Sequence, residues 1–251
     1  MIIHQLRHTL LEGLAVALSG QCCCCGLDSD SPYPLCSHCL PALPTVVAPC
    51  SRCGLSRGRE EAHDATTLCG ACLIRPPPFT LCRGSFAYAA PIDSLVSDFK
   101  FHDREDIGAA LSACLAQQVK AFYANSPPYP SAVVAVPLHP RRLLQRGFDQ
   151  AGEIANVVAR HAKLPNLSRL IRRTRYTKAQ TEMPSAKARK ANLAGAFTVN
   201  PKMGEHRHVA LIDDVVTTAA TVGEVTLMLN EKGVERVDVW CLARAEAQRR
   251  G

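Results

Sequence analysis

Apolar residues along this chain fall into separate regimes. Leu6, Leu10, Leu11, Leu14 and Leu18 lie close to one face of a helix and predict a short amphipathic docking helix within residues 1–20. From residue 80 onward the apolar runs take the lengths and periods of strands alternating with helices. Strands are expected at 85–89, 132–138, 209–212 and 236–242. Helices are expected at 92–101, 107–123, 150–162 and about 221–232, the last stopped by Gly233. This alternation implies a mostly parallel sheet covered by helices, with ligands at the carboxyl ends of the strands. Pro76, Pro77 and Pro78 can continue neither a helix nor a central strand, and they set the boundary before an α/β domain at 80–245.

Residues 21–73 are punctuated by cysteine instead. Of thirteen cysteines, eight form four Cys-x-x-Cys pairs: Cys22/Cys25, Cys36/Cys39, Cys50/Cys53 and Cys69/Cys72. Two intervening residues let both sulfurs of a pair face one ion, and two pairs complete a tetrahedral thiolate set. The expectation is two closed, structural Zn2+ sites replacing the core that so short a stretch cannot build. Sequential pairing is preferred over a crossed arrangement. Cys22 and Cys25 are chosen from the run Cys22-Cys23-Cys24-Cys25 by their spacing, and Cys82, Cys114 and Cys241 are read as buried free thiols.

Hydrophobic residues at 47% and charged residues at 20% of the 251 describe an ordinary globular chain and exclude a wholly disordered or fibrous one. The apolar run near residues 10–18 is interrupted by Glu12 and is too short to span a bilayer, so no membrane span is expected and the protein is placed in the cytoplasm. A formal net charge of +7 changes the picture through its placement. Residues 141–190 hold thirteen Lys/Arg against three acids, a block suited to a pyrophosphate, a nucleotide or a nucleic-acid strand.

The segment 209–221 carries the candidate chemistry. An apolar strand runs into Asp213 and Asp214, then into Val215, Val216, Thr217, Thr218, Ala219 and Ala220, and then into a helix beginning near Thr221. Neighbouring strand residues point to opposite faces, so both acids address one ligand only if the strand ends and turns there. The loop offers backbone N–H groups and threonine hydroxyls at a helix N-terminus, an anion site. Carboxylates for hydroxyls and amides for a phosphate together suit a ribose phosphate.

This segment resembles the phosphoribosyl-diphosphate (PRPP) motif of type I phosphoribosyltransferases. The resemblance implies that Asp213 and Asp214 are the catalytic-site acids on the ribose 2′ and 3′ hydroxyls. It places Val215, Thr217, Thr218, Ala219, Ala220 and Thr221 around the 5′-phosphate, with Mg2+ accompanying PRPP if the chain is active. Val136-Pro137-Leu138, Arg146-Gly147-Phe148-Asp149-Gln150-Ala151, then Gln180, Arg189, Asn192 and Gly195-Ala196-Phe197, with the cysteine module ahead of them, resemble the ComF family. That resemblance implies a double zinc ribbon on a type I phosphoribosyltransferase-like α/β fold and a role in DNA uptake during natural transformation. Expected partners are then a phosphoribosyl ligand, single-stranded DNA and DNA-uptake proteins. Arg146, with Arg141 and Arg142, is the candidate for the leaving pyrophosphate, and Phe148, Tyr176 and Phe197 for stacking on bases. Two positions depart from the patterns: Ala219 stands where the transferase motif usually has glycine, and Asp149 where the family usually has asparagine.

Overall fold

The computed structural model describes residues 20–31, 33–57, 67–126, 128–177, 192–193 and 195–245. The leucines of the expected N-terminal helix lie outside them, as do Lys178, Gln180, Lys187, Arg189 and Lys190. The described strands are β1 (Leu81–Ala87), β2 (Ala132–Ala135), β3 (Ile171–Arg173), β4 (Phe197–Val199), β5 (His208–Val216) and β6 (Arg236–Arg244). The described helices are α1 (Gly70–Ile74), α2 (Ile92–Phe101), α3 (Glu105–Ala124), α4 (Pro140–Arg146), α5 (Gln150–Ala162) and α6 (Ala220–Glu231). The architecture is the expected α/β one. β1, β6, β5 and β2 lie side by side in that order, all parallel, while β3 and β4 pair antiparallel apart from them.

Alternation along the central strands sorts the core into two layers. Ala210 and Ile212 of β5, with Trp240 and Leu242 of β6, pack with Leu95 and Phe99 of α2, Leu111 and Leu115 of α3, and Ile154 and Val158 of α5. Val209 and Leu211, with Val237, Val239 and Cys241, face Val222, Val225 and Leu229 of α6 and Phe197 of β4. Parallel strands covered on both faces must be apolar throughout, which is why β5 and β6 read as near-continuous hydrophobic runs. Arg244 at the end of β6 is one buried exception and Asp238 the other. Asp238 accepts from the Tyr123 hydroxyl at 2.5 Å, lies 2.7 Å from His208 Nε2 and 3.0 Å from Arg236 Nη2, and so ties α3 to the sheet. A buried carboxylate with this many partners is satisfied rather than stranded.

Two expectations are corrected. β1 begins at Leu81, not Ser85, because its first half carries Arg83 and Gly84, which hide its strand character. β5 does not end at the acids but runs through them to Val216. Its partner β2 stops at Ala135, opposite Ile212, so Asp213 and Asp214 project past the end of the sheet on that side.

Candidate functional site

The cysteine pairs assemble sequentially. The sulfurs of Cys22, Cys25, Cys36 and Cys39 lie within 4.8 Å of one another, and so do those of Cys50, Cys53, Cys69 and Cys72. A tetrahedral zinc ion with Zn–S bonds of about 2.3 Å puts its sulfurs roughly 3.8 Å apart. The Cys25–Cys36 and Cys53–Cys69 separations are 3.9 and 3.6 Å. Backbone N–H groups of Cys36 and Cys69 point at the sulfurs of Cys22 and Cys50, at 3.4 and 3.2 Å. Gly26 and Gly54 turn the chain after the first pair of each set at φ +72° and +69°. Both sets therefore fit a closed zinc site in ligand type, number and spacing, with no position left for a substrate. Cys82 and Cys241 are buried free thiols, while Cys114 is only half-buried.

The sheet positions the second site. β2 leads to α5 on one face and β5 leads to α6 on the other, so the carboxyl ends of these neighbouring strands open into a crevice. Asp213 and Asp214 stand in it, both half-buried. Lys100, from the last turn of α2, holds Asp214 Oδ2 at 2.9 Å. The N–H of Asp214 donates to Asp213 Oδ1 at 3.0 Å, and that of Val215 donates to Asp214 Oδ1 at 2.5 Å. Burial, and then the charge of Asp214, push the Asp213 carboxyl well above the ordinary carboxylate range, with Lys100 opposing. A third acid joins them: burial, with Glu153 and Asp214 adding to it, pushes Asp149 up to about 6. Asp149 begins α5 and lines a cavity of about 410 Å³ with His139, Arg172 and Arg173. The loop after β5 exposes Thr217 and Thr218, and Ala219 adopts the left-handed conformation, φ +59°, before α6 starts at Ala220. That conformation explains the family's usual glycine here, since only glycine takes it without steric cost.

The basic residues divide. Arg146 does not reach into the crevice. It bonds Gln150 Oε1 at 3.2 Å and covers the Phe101 ring at 5.1 Å, while Gln150 donates to the Lys100 carbonyl. Arg146 thus joins the site through Gln150 and Lys100. Arg141 and Arg142 flank Tyr176, at 5.6 and 5.8 Å from its ring centre. Tyr176 is the most exposed of the expected stacking residues, at 44%, with the His139 ring edge-on to it at 5.2 Å, while Phe197 is buried and Phe148 packs on Phe99. Arg173 is buried over Phe197, and desolvation lowers it to about 10.

The sequence did not point to Lys100, Asp149 or Arg244 as parts of this site. Arg244 is buried at the end of β6. Its Nε donates to the Cys53 carbonyl at 2.9 Å, and its Nη1 donates to the carbonyls of Val216 at 2.7 Å, Thr217, and Ala245 at 3.0 Å. It therefore bolts the second cysteine cluster to the loop after β5. A lone cation closing an apolar strand is the signal that marks it.

No family model matches the chain. Curated relatives do match. It is 36% identical over 232 residues to a DNA utilization protein YhgH of Salmonella typhi, covering 91% of this chain and 99% of the relative. Competence protein F of Haemophilus influenzae is 32% identical over 235 residues, covering 92% and 93%. Competence protein ComFC of Streptococcus pneumoniae is 26% identical over 164 residues, covering 64% and 67%. Similarity at this level, spanning both the cysteine clusters and the α/β sheet, places the chain in the ComF family.

Proposed function

We propose that the crevice beyond β5 and β2 binds PRPP or a related ribose phosphate. Asp213 and Asp214, which leave opposite faces of β5, take the ribose hydroxyls from the two sides of the strand where it outruns β2. The amides and hydroxyls from Val215 through Thr221, with Thr217, Thr218, Ala219 and Ala220 between them, receive the 5′-phosphate ahead of α6. Mg2+ would accompany PRPP and would neutralise charge at its pyrophosphate, held by carboxylates from among Asp149, Asp213 and Asp214. Lys100 fixes Asp214, and Arg146 acts on the site through Gln150 rather than on the pyrophosphate. The observation that carries this reading is the acid pair standing past the end of β2, followed directly by the loop into α6.

The setting is DNA uptake in natural transformation, which the names Competence protein F and DNA utilization protein of two relatives support. The reading places the protein in the cytoplasm, where reduced thiols are free to hold zinc. Among the described residues no helix is long and apolar enough to cross a membrane. Calorimetry with PRPP and Mg2+ on the zinc-loaded chain should give one saturable site, lost in Asp213→Asn and Asp214→Asn. Unchanged affinity in both variants refutes it.

A second reading rests on Tyr176. An exposed ring between two arginines is the arrangement that stacks a base while cations meet its phosphates. Single-stranded DNA should bind more weakly as salt rises, and Tyr176→Ala should weaken it by about 1–3 kcal/mol. Affinity indifferent to salt counts against this surface.

A further inference from the structure

A second cavity lies away from the crevice, between the cysteine clusters and the α/β sheet. It measures about 410 Å³ and adjoins one of about 230 Å³ that shares Pro49, Arg83, Gly84, Ser85 and Gln118 with it. Neither shares a residue with the Asp213–Thr221 site. Three polar side chains matter in the larger cavity: Arg57, Arg83 and Ser85. Leu115 and Val119 of α3 form its apolar wall, with the Phe122 ring under the Arg83 guanidinium at 4.4 Å.

Two of its polar groups, on Arg83 and Ser85, lack a partner among the described residues. Arg57 is anchored through Nε on the Ala48 carbonyl at 3.2 Å. Arg83 has no hydrogen bond or ion pair among the described residues, and its Nε is buried without a partner. Ser85 is 4% exposed, and its hydroxyl is likewise buried and unpartnered. Buried donors are almost always satisfied, and leaving one unpartnered destabilises the fold. The unpartnered Arg83 Nε and Ser85 hydroxyl, with no carboxylate among the described residues of the lining, define a hole suited to an anion. Burial holds the Arg83 guanidinium below the ordinary arginine range.

The structure assigns this cavity as a binding site for a small organic anion, its carboxylate or phosphate on Arg83 and the Ser85 hydroxyl and its apolar part on Leu115 and Val119. Volume and mixed lining match small-molecule sites in general. Gly84, between the two key residues, lies so close to β6 that a Cβ there would sit 2.8 Å from Arg244 Cβ.

The test uses the full zinc-loaded chain, with phenyl phosphate and benzoate as probes and phenol and inorganic phosphate as controls, read by calorimetry. Both aromatic anions, or one of them, should saturate one site. Inorganic phosphate should bind about tenfold more weakly, and phenol not measurably. Arg83→Gln should weaken the anion by about tenfold or more, and Ser85→Ala by about threefold. Should Arg83→Gln fail to fold, Ser85→Ala and Ser85→Val decide the matter. Asp214→Asn should leave the anion affinity unchanged, which separates this site from the PRPP crevice. The proposal falls if no probe saturates the native chain below about 10 mM. It falls equally if phenol matches the anions, if the serine variants bind as tightly as the native chain, or if Asp214→Asn abolishes the binding.

Discussion

The two four-cysteine clusters share spacing, ligand set and glycine turn, yet they are joined to the molecule in different ways. Cys22 and Cys36 of the first cluster, with Leu35 and Leu43, merge into the same apolar core as Phe86, Ile92 and Leu111. Tyr33 adds a contact to His161 of α5, 3.2 Å from its Nε2. The second cluster keeps a small core of its own, Cys50, Cys53 and Cys72 with Leu55 and Leu68 beside them. It meets the sheet through directed polar bonds: Arg244 to the Cys53 carbonyl, and Arg52 to the Pro77 carbonyl at 3.0 Å. One cluster is thus a patch of the main core. The other is a strut whose far end is the loop at Val216–Thr217.

The comparison breaks first at the metal. Native protein should hold two zinc per chain, and Cys36→Ser and Cys50→Ser one each. Structural zinc carries apparent free energies of about 10–16 kcal/mol in small modules. Cys36→Ser should lower the melting of the whole α/β core, whereas Cys50→Ser should leave a folded core with a loosened loop after β5. Equal loss of core stability in both variants ends the distinction.

Arg244→Met comes next. It strips donors from the carbonyls of Cys53, Val216 and Thr217, and urea unfolding should show a loss on the order of 3–5 kcal/mol. PRPP affinity should fall with it, although Arg244 stands behind the loop. A stability loss with unchanged PRPP affinity would make the strut purely structural.

A glycine pair sharpens the contrast. At Gly54 an added Cβ would lie 2.6 Å from the Cys82 carbonyl oxygen, while at Gly26 nothing lies within 4 Å. Both have positive φ, so Gly26→Ala should cost about 1 kcal/mol of backbone strain. Gly54→Ala adds a clash with β1 and should cost about 2–3 kcal/mol by thermal unfolding. Equal costs would mean that the second cluster does not press on the sheet.

Asp149 touches neither cluster and serves as the control. Its folded value is about 6 against an ordinary 3.8, so the folded state favours the protonated form. The stability that this contributes is fully present below about pH 3.8 and is lost as pH rises through about 6. Asp149→Asn should therefore remove that slope and gain on the order of 1–2 kcal/mol at pH 7. The gain should be the same in a Cys50→Ser background.

The cysteine chemistry was legible because a Cys-x-x-Cys pair is a local geometric device, and the sequential pairing follows from chain reach. Helices α2 and α5 were also legible, since each carries a clean apolar face. Helix α4 went unseen although its signals were present: His139 accepts from the Arg141 N–H at 3.1 Å, Pro140 opens the first turn, and Gly147 closes it at φ +81°. Strands β3 and β4 are three residues each, too short to show a period. In the crevice, Asp213, Asp214 and the threonine loop were readable as one motif. Lys100 and Asp149 were not, because they arrive from other elements and only the packing of α2 and α5 brings them to β5. The contacts of Arg146 were not legible either: its neighbours in sequence face the solvent, while its guanidinium meets Phe101 and Gln150.

The central claim is that a ribose phosphate occupies the crevice beyond β5. Hydrogen exchange of the zinc-loaded chain with and without PRPP and Mg2+ addresses it most directly. The account predicts slowed exchange at the amides of Val215 through Thr221, absent in the Asp213→Asn, Asp214→Asn double variant. Exchange in that loop unchanged by saturating PRPP, or slowed equally in the double variant, would contradict it.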